Sequence, residues 1–179
     1  AGYLLKDQEE GALAAQLPVP LLLENIPLFP NLAHMFVCEP ELIAEVIEAT
    51  GCDLLLDLAH ARSSADVLGI EIHDYLSHLP LERTVEIHLS GPRPCRELDS
   101  RRHDLVLDNA ASVAHIVRFG EDNLIDAHMP LQDVDYALLE WALQRTEPRA
   151  VSLEYFREAE PLREQLERLA RILGRPSSA

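Results

Sequence analysis

The sequence predicts an α/β fold of successive strand–helix units, about the last five βα units of a TIM (β/α)8 barrel. Three observations carry that expectation. Short aliphatic runs alternate with Leu-rich and Ala-rich stretches of helical period. The runs recur about every 30 residues, the length of one strand–helix repeat. Each run also closes on a carboxylate or a histidine, and chemistry in such barrels sits at the C-terminal ends of the strands.

Five runs read as buried parallel strands: Pro20 to Asn25, Cys52 to Leu58, Thr84 to Leu89, Asn123 to Met129 and Ala150 to Tyr155. After the first, the stretch from Pro40 to Ile47 has proline near its first turn and Gly51 just past its end, the two signals that bracket a helix. Ile72 to Leu79 reads as a shorter helix. Asp133 is placed to cap a helix that buries Val134, Leu138 and Trp141. Pro161 opens a last helix with Leu162, Leu166, Leu169 and Leu173 on one face and Gly174 as its stop.

Residues 1–174 are thus expected to form one domain, with 175–179 a flexible tail. Residues 92–122 read as a long, charged loop after the third strand, with a small helix of its own around Ala110 to Phe119. Loops of that length in compact domains are usually functional or mobile. A complete barrel takes about 250 residues, so roughly three βα units are expected outside this chain.

Composition narrows the partners. The 179 residues are 47% hydrophobic, enough for a real core. Thirty-one acidic residues against 15 basic give a net charge of −16, a field that repels phosphate backbones and argues against nucleic acid. No apolar run approaches the roughly 18 residues that would cross a bilayer. Nothing at the start reads as a basic stretch leading into an apolar one, so no secretory leader is expected. Cys38, Cys52 and Cys95 are dispersed and form no Cys-x-x-Cys pair, which suits a reducing cytoplasm and gives no zinc-finger or disulfide framework.

The strand ends are the chemical feature. Glu24 follows three leucines, Asp57 follows Leu54-Leu55-Leu56, His88 follows Ile87, Asp126 follows Ile125 and Glu154 follows Leu153. Side chains alternate faces along a strand. If these five point inward, Leu22, Leu55, Glu86, Leu124 and Ser152 line the layer below, where only Glu86 needs a partner. His128 shares the inward face with Asp126. A single acid at a strand end is usually a helix cap or a surface group, but five in register point to a shared site. Four carboxylates and two histidines converging there would repel unless some are protonated or cations lie between them. Carboxylate and imidazole ligands suit iron, manganese or zinc, and this many allow two or more metals.

Several motifs occur in a fixed order: Leu21-Leu22-Leu23-Glu24-Asn25, Gly51-Cys52-Asp53-Leu54-Leu55-Leu56-Asp57, Leu79-Pro80-Leu81-Glu82-Arg83, Glu86-Ile87-His88-Leu89-Ser90-Gly91, Asp126-Ala127-His128 and Leu153-Glu154. Together they resemble the multinuclear non-haem iron family of xylose-isomerase-like TIM barrels. That family includes the iron subunit of methanobactin oxazolone synthase and the enzyme that excises a cysteine carbon in 3-thiaglutamate biosynthesis. The resemblance implies an eight-stranded barrel holding two or three iron ions, O₂-dependent modification of a peptidyl cysteine, and a partner protein that delivers the peptide. Carried over by position, it makes Glu24, Asp57, His88, Asp126, His128 and Glu154 metal ligands or their immediate surroundings.

The chain also departs from the family. Ala59 and His60 stand where a pair of asparagines is usual, so His60 either replaces a lost ligand or lies outside the barrel as a capping residue. Pro92 stands where a second histidine often follows the glycine. Asn25, Arg62 and Arg93 are the candidate substrate contacts; the two arginines follow strand ends and either orient a carboxylate or lie solvated on the surface. His34, His73, His78, His103 and His115 carry no ligand spacing, and Trp141 reads as packing. Three functions remain in view: an iron-dependent oxidase of peptidyl cysteine, a divalent-metal isomerase or hydrolase of a sugar or phosphoester, and a degenerate barrel without catalysis.

Overall fold

The computed structural model describes residues 16–27, 36–98 and 118–174. Strands β1 (Leu22–Glu24), β2 (Asp53–Asp57), β3 (Thr84–Leu89), β4 (Gly91–Pro94), β5 (Leu124–Met129) and β6 (Ala150–Leu153) are interleaved with helices. These are α1 (Pro40–Thr50), α2 (Leu58–Leu68), α3 (Ile72–Ser77), α4 (Asp133–Leu143) and α5 (Ala159–Ile172). Four strands form an all-parallel sheet in the order β1-β2-β3-β6.

The alternation of the strands divides core from site. Leu54, Leu56, Ile87 and Leu89 are at most 1% exposed and pack with Ile43, Ile47, Ala61, Ala65, Tyr75, Leu76 and Leu139 from the helices. Burying each of these leucine or isoleucine side chains contributes about 1.5–3 kcal/mol. The residues between them, Leu55 and Asp57 on β2 and Glu86 and His88 on β3, fall on the opposite face.

One strand departs from the expected order. Leu124–Met129 is extended, but it pairs antiparallel with Gly91–Pro94 and not within the parallel sheet. The residues from 92 onward, read as loop, therefore begin as strand. The cause lies at Gly91, whose backbone comes so close to β5 that an added Cβ would sit 2.3 Å from the Met129 carbonyl oxygen. The new pair is anchored on α2, where the Asp66 carboxylate accepts from the Leu124 N–H at 2.8 Å and the Asn123 amide at 2.9 Å. With β5 drawn aside, β6 pairs directly with β3. The remainder of the long loop from 99 to 117, most of the small helix placed there, and the tail 175–179 lie outside the described residues.

The helix ends follow local chemistry. Gly51 closes α1 in the left-handed conformation at φ 71°. The cap of α4 is Gln132 and not Asp133, because Asp135 reaches back to the Gln132 N–H at 2.7 Å in a capping box. Asp133 instead points outward to Arg168 at 2.6 Å. Val134 is correspondingly exposed, while Leu138 and Leu139 are buried. On α5, which starts at Ala159, Leu169 is buried and Leu166 is half exposed.

Candidate metal centre

Asp57 is the hub, and the junction of β2 with α2 fixes it. The Asn25 side chain, fully buried, accepts from the Asp57 N–H and donates to the Asp57 carbonyl, both at 2.8 Å. It replaces strand pairing where β1 has ended. Asp57 Oδ1 then caps α2 by accepting the His60 N–H at 2.7 Å. Its other oxygen, Oδ2, is buried with no hydrogen bond.

His60 stands in the first turn of α2 with its ring turned into the cluster. Nδ1 lies 2.9 Å from the Asn25 carbonyl oxygen and 3.3 Å from Glu24 Oε1. Nε2 lies 3.7 Å from Asp57 Oδ2 and 3.5 Å from Asp126 Oδ2. An Nδ1–H donated to the carbonyl leaves Nε2 as the free ring nitrogen, the tautomer a metal ligand needs.

Beyond Asp126 the network continues. Ser90 donates its hydroxyl to Asp126 Oδ1, and Asp126 Oδ2 is 3.4 Å from His128 Nδ1. His128 Nε2 is 3.1 Å from Glu154 Oε2, and Glu154 Oε1 is 3.1 Å from His88 Nδ1. His88 Nε2 meets Glu86 Oε1 at 3.2 Å, and that oxygen also accepts the Ser152 hydroxyl at 2.6 Å. Glu86 thus has the partners its inward position demanded. The structure brings Glu24, Asp57, His60, His88, Asp126, His128 and Glu154 into one continuous network.

They do not lie in one row. Glu24 is level with Leu55, Asp57 with His88, and His88 with Ser152 rather than Glu154. The donors climb across the sheet on a diagonal.

The charges are uneven. Burial pushes the Asp57 carboxyl up to about 7, although neighbouring His60 pulls it back. Burial also opposes a charge on His60. The Asp126, Asp57 and Glu24 carboxylates outweigh it and raise the imidazole to about 9. Asp126 is held below the usual carboxylate range: burial works against this, but His60, His128 and Ser90 prevail. Without metal, a proton on His60 Nε2 is therefore the internal cation between Asp57 and Asp126.

The donor set fits a metal. Asp57 Oδ2, His88 Nδ1 and His128 Nδ1 are all buried without a hydrogen bond. An unmade bond of that kind costs about 1–3 kcal/mol, so each of the three atoms is open to a further partner. Glu24, Asp57 and His60 offer ligand atoms within 4.8 Å of one another, and so do Asp57, His88 and Glu154. Asp57 belongs to both groups. Carboxylate and imidazole together match iron, manganese or zinc.

The three candidate substrate contacts have structural duties. Asn25 is committed to the Asp57 backbone. Arg62 pairs with the buried Asp135 carboxylate. Arg93 donates to the carbonyls of Pro92 at 2.8 Å and Pro130 at 2.5 Å. Sequence reasoning missed Ser90, although it lies two residues beyond His88 on the same face. It also missed Arg157, which donates to the His128 carbonyl at 3.2 Å and the Ala127 carbonyl at 3.0 Å. Nothing in the local pattern around Arg157 marks it.

Four carboxylates and three imidazoles, drawn from the ends of the parallel strands, from β5 beside them and from the first turn of α2, form one network that defines a candidate metal-binding protein. Residues 11–174 match the family described as RiPP precursor modification enzyme MbnB/TglH/ChrH, and the chain belongs to that family. It is 33% identical over 137 residues to a UPF0276 protein of Caulobacter vibrioides, covering 70% of this chain and 49% of the relative. A UPF0276 protein of Bordetella parapertussis is 32% identical over 154 residues, 86% of this chain and 46% of the relative. One from Paraburkholderia phytofirmans is 41% identical over 90 residues, 50% and 29% respectively. The chain spans about half the length of the first two of these curated relatives. Among the described residues, no helix is long and apolar enough to cross a membrane.

Proposed function

We propose that this chain supplies the metal-binding half of a TIM-barrel enzyme that oxidatively modifies a cysteine in a ribosomally made precursor peptide. The reading places two or three irons on Glu24, Asp57, His60, His88, Asp126, His128 and Glu154. It is supported by family membership and carried by one observation: two groups of donors share Asp57, whose inner oxygen is buried and unpartnered. The enzyme would act in the cytoplasm, with a second protein presenting the peptide.

Bound iron would supply redox equivalents and a Lewis-acid seat for a thiolate. The chain's own residues do the rest. Asp57 offers Oδ2 while Oδ1 stays tied to α2. His60 would give up its Nε2 proton to a bound metal, as coordinating imidazoles must. Ser152 and Glu86 orient His88, and Ser90 orients Asp126. Phe156, 73% exposed with its ring centroid 6.0 Å from that of His128, offers an apolar contact beside the cluster for a peptide side chain.

Elemental analysis of the full-length protein, purified without oxygen, tests the reading. Two or more irons per chain, with oxygen consumed when the peptide is added, is the expected result. One loosely held manganese or zinc would transfer the assignment to a divalent-metal isomerase or hydrolase. No metal at all would leave a barrel without catalysis.

A further inference from the structure

His128 is the one residue other than glycine with positive φ among the described residues, at 49°. A left-handed conformation within a strand is costly for an L side chain, and it persists only where the surroundings impose it. Here it coincides with an irregularity: the register between β4 and β5 slips between Gly91 and Arg93, opposite Asp126 to His128. Such bulges redirect a side chain beside a site.

The relative direction of the Ala127 and His128 carbonyls is set by the φ and ψ of His128. In extended backbone, successive carbonyls point to opposite sides of the strand. With His128 left-handed they turn to the same side, and one guanidinium can reach both. Arg157 does so, donating Nε to the His128 carbonyl at 3.2 Å and Nη2 to the Ala127 carbonyl at 3.0 Å. Two further contacts hold the same stretch. Arg93 donates to the Pro130 carbonyl at 2.5 Å, and the bare Gly91 backbone lies where any Cβ would meet the Met129 and Pro130 oxygens at 2.3 and 2.6 Å.

We infer that Arg157 is a positioning residue: by clamping the Ala127 and His128 carbonyls it locks His128 in its left-handed conformation and aims the imidazole at Asp126 and Glu154. The inference rests on the proposed metal centre, toward which it assigns Arg157 a role through the backbone of His128. Removing the clamp frees His128 to relax toward extended backbone and swing its ring away, leaving the Glu24–Asp57–His60 group in place.

The test is a double-mutant cycle of Arg157→Ala and His128→Gly in the full-length protein, read by metal stoichiometry and by the visible spectrum of the Co(II)-loaded form. Glycine keeps the left-handed backbone without strain and removes the ring. Arg157→Ala is expected to weaken one metal by about 10–100-fold, the loss typical when a metal-binding histidine loses its supporting partner. His128→Gly should lose the same metal, and the double variant should lose no more than His128→Gly alone. Arg157→Lys, reaching one carbonyl at a time, should fall between wild type and Arg157→Ala. Wild-type stoichiometry and spectrum in Arg157→Ala, or losses that add in the double variant, would overturn the inference.

A second readout needs no metal. In the metal-free protein, Arg157→Ala should move the imidazole NMR resonances of His128 and leave those of His60 in place. A wild type that takes up no metal would end the functional reading while this arm still decides the role of Arg157. Unmoved His128 resonances would refute that role.

Discussion

Replacing Asp57 with asparagine is expected to abolish metal binding while making the metal-free protein more stable at alkaline pH. Burial raises this carboxyl from 3.8 to about 7, so ionising it inside the fold costs about 4 kcal/mol. Its side chain is 1% exposed, so solvent screening gives little relief. Because the folded value lies above the unfolded one, the favourable contribution is complete below about pH 4 and lost as pH rises through about 7. Asparagine escapes that loss and keeps an oxygen for the His60 N–H, so the cap of α2 survives. The advantage of Asp57→Asn should therefore be absent near pH 4 and approach, but not reach, about 4 kcal/mol above pH 8. It falls short because His60 loses one of the carboxylates that stabilise its charge. Urea denaturation of metal-stripped full-length protein at both pH values, with metal content measured beside it, provides the assay. A stability difference from wild type that is the same at both pH values would refute the cost assigned to ionising the buried carboxyl, and full metal retention would remove Asp57 from the ligand set.

Two more outcomes follow from the same geometry. His60 is raised from 6.5 to about 9, so its contribution, about 3 kcal/mol, is complete below about pH 6.5 and lost as pH rises through 9. Thermal melts of the metal-free protein should fall across that window, and His60→Ala should flatten the profile; an equal slope in both would refute the assignment. Gly91→Ala places a Cβ 2.3 Å from the Met129 carbonyl oxygen and must push β5 away, costing about 1–3 kcal/mol and lowering metal content with it. An unchanged urea midpoint would mean that the ribbon of β4 and β5 yields freely.

What could be read from the sequence follows from range. The strand at Leu54 announces itself as a continuous apolar run with Asp57 standing out at its end, and the strand at Ile87 by apolar residues that alternate with Glu86 and His88. That logic picks out Glu24, Asp57, His88, Asp126 and Glu154, and His128 through the face it shares with Asp126. His60 is a candidate only through the family resemblance; its ring enters the cluster even as its N–H is capped by Asp57. The same logic could not locate Arg157, because a side chain that binds carbonyls leaves no pattern of its own in sequence. Nor could it place Leu124–Met129, which has the composition of a parallel strand. Its partner is chosen by the close approach at Gly91, a contact between residues nearly forty positions apart in the chain. Register was the third gap. Composition places a donor at each strand end but says nothing about how far neighbouring strands slip, and the slip turns an expected row into a diagonal.

That diagonal gives the centre two halves of different construction. Glu24, Asp57 and His60 are held by regular structure: a strand end, a helix cap, and an asparagine amide standing in for strand pairing. Their charge is balanced from within by the His60 proton, so this half keeps its shape without metal. His128 and Glu154 are held differently. One sits in a left-handed bulge under an arginine clamp, and the other lies just past the end of β6, tied by its N–H to the Leu89 carbonyl at 2.7 Å. An irregularity of β5 turns the first and no regular element holds the second, and the exposed ring of Phe156 lies alongside His128. The stiffness of the first half follows from secondary structure and is nearly independent of ligand. The geometry of the second depends on a few side-chain-to-carbonyl bonds, so metal and substrate should bear more heavily on its shape.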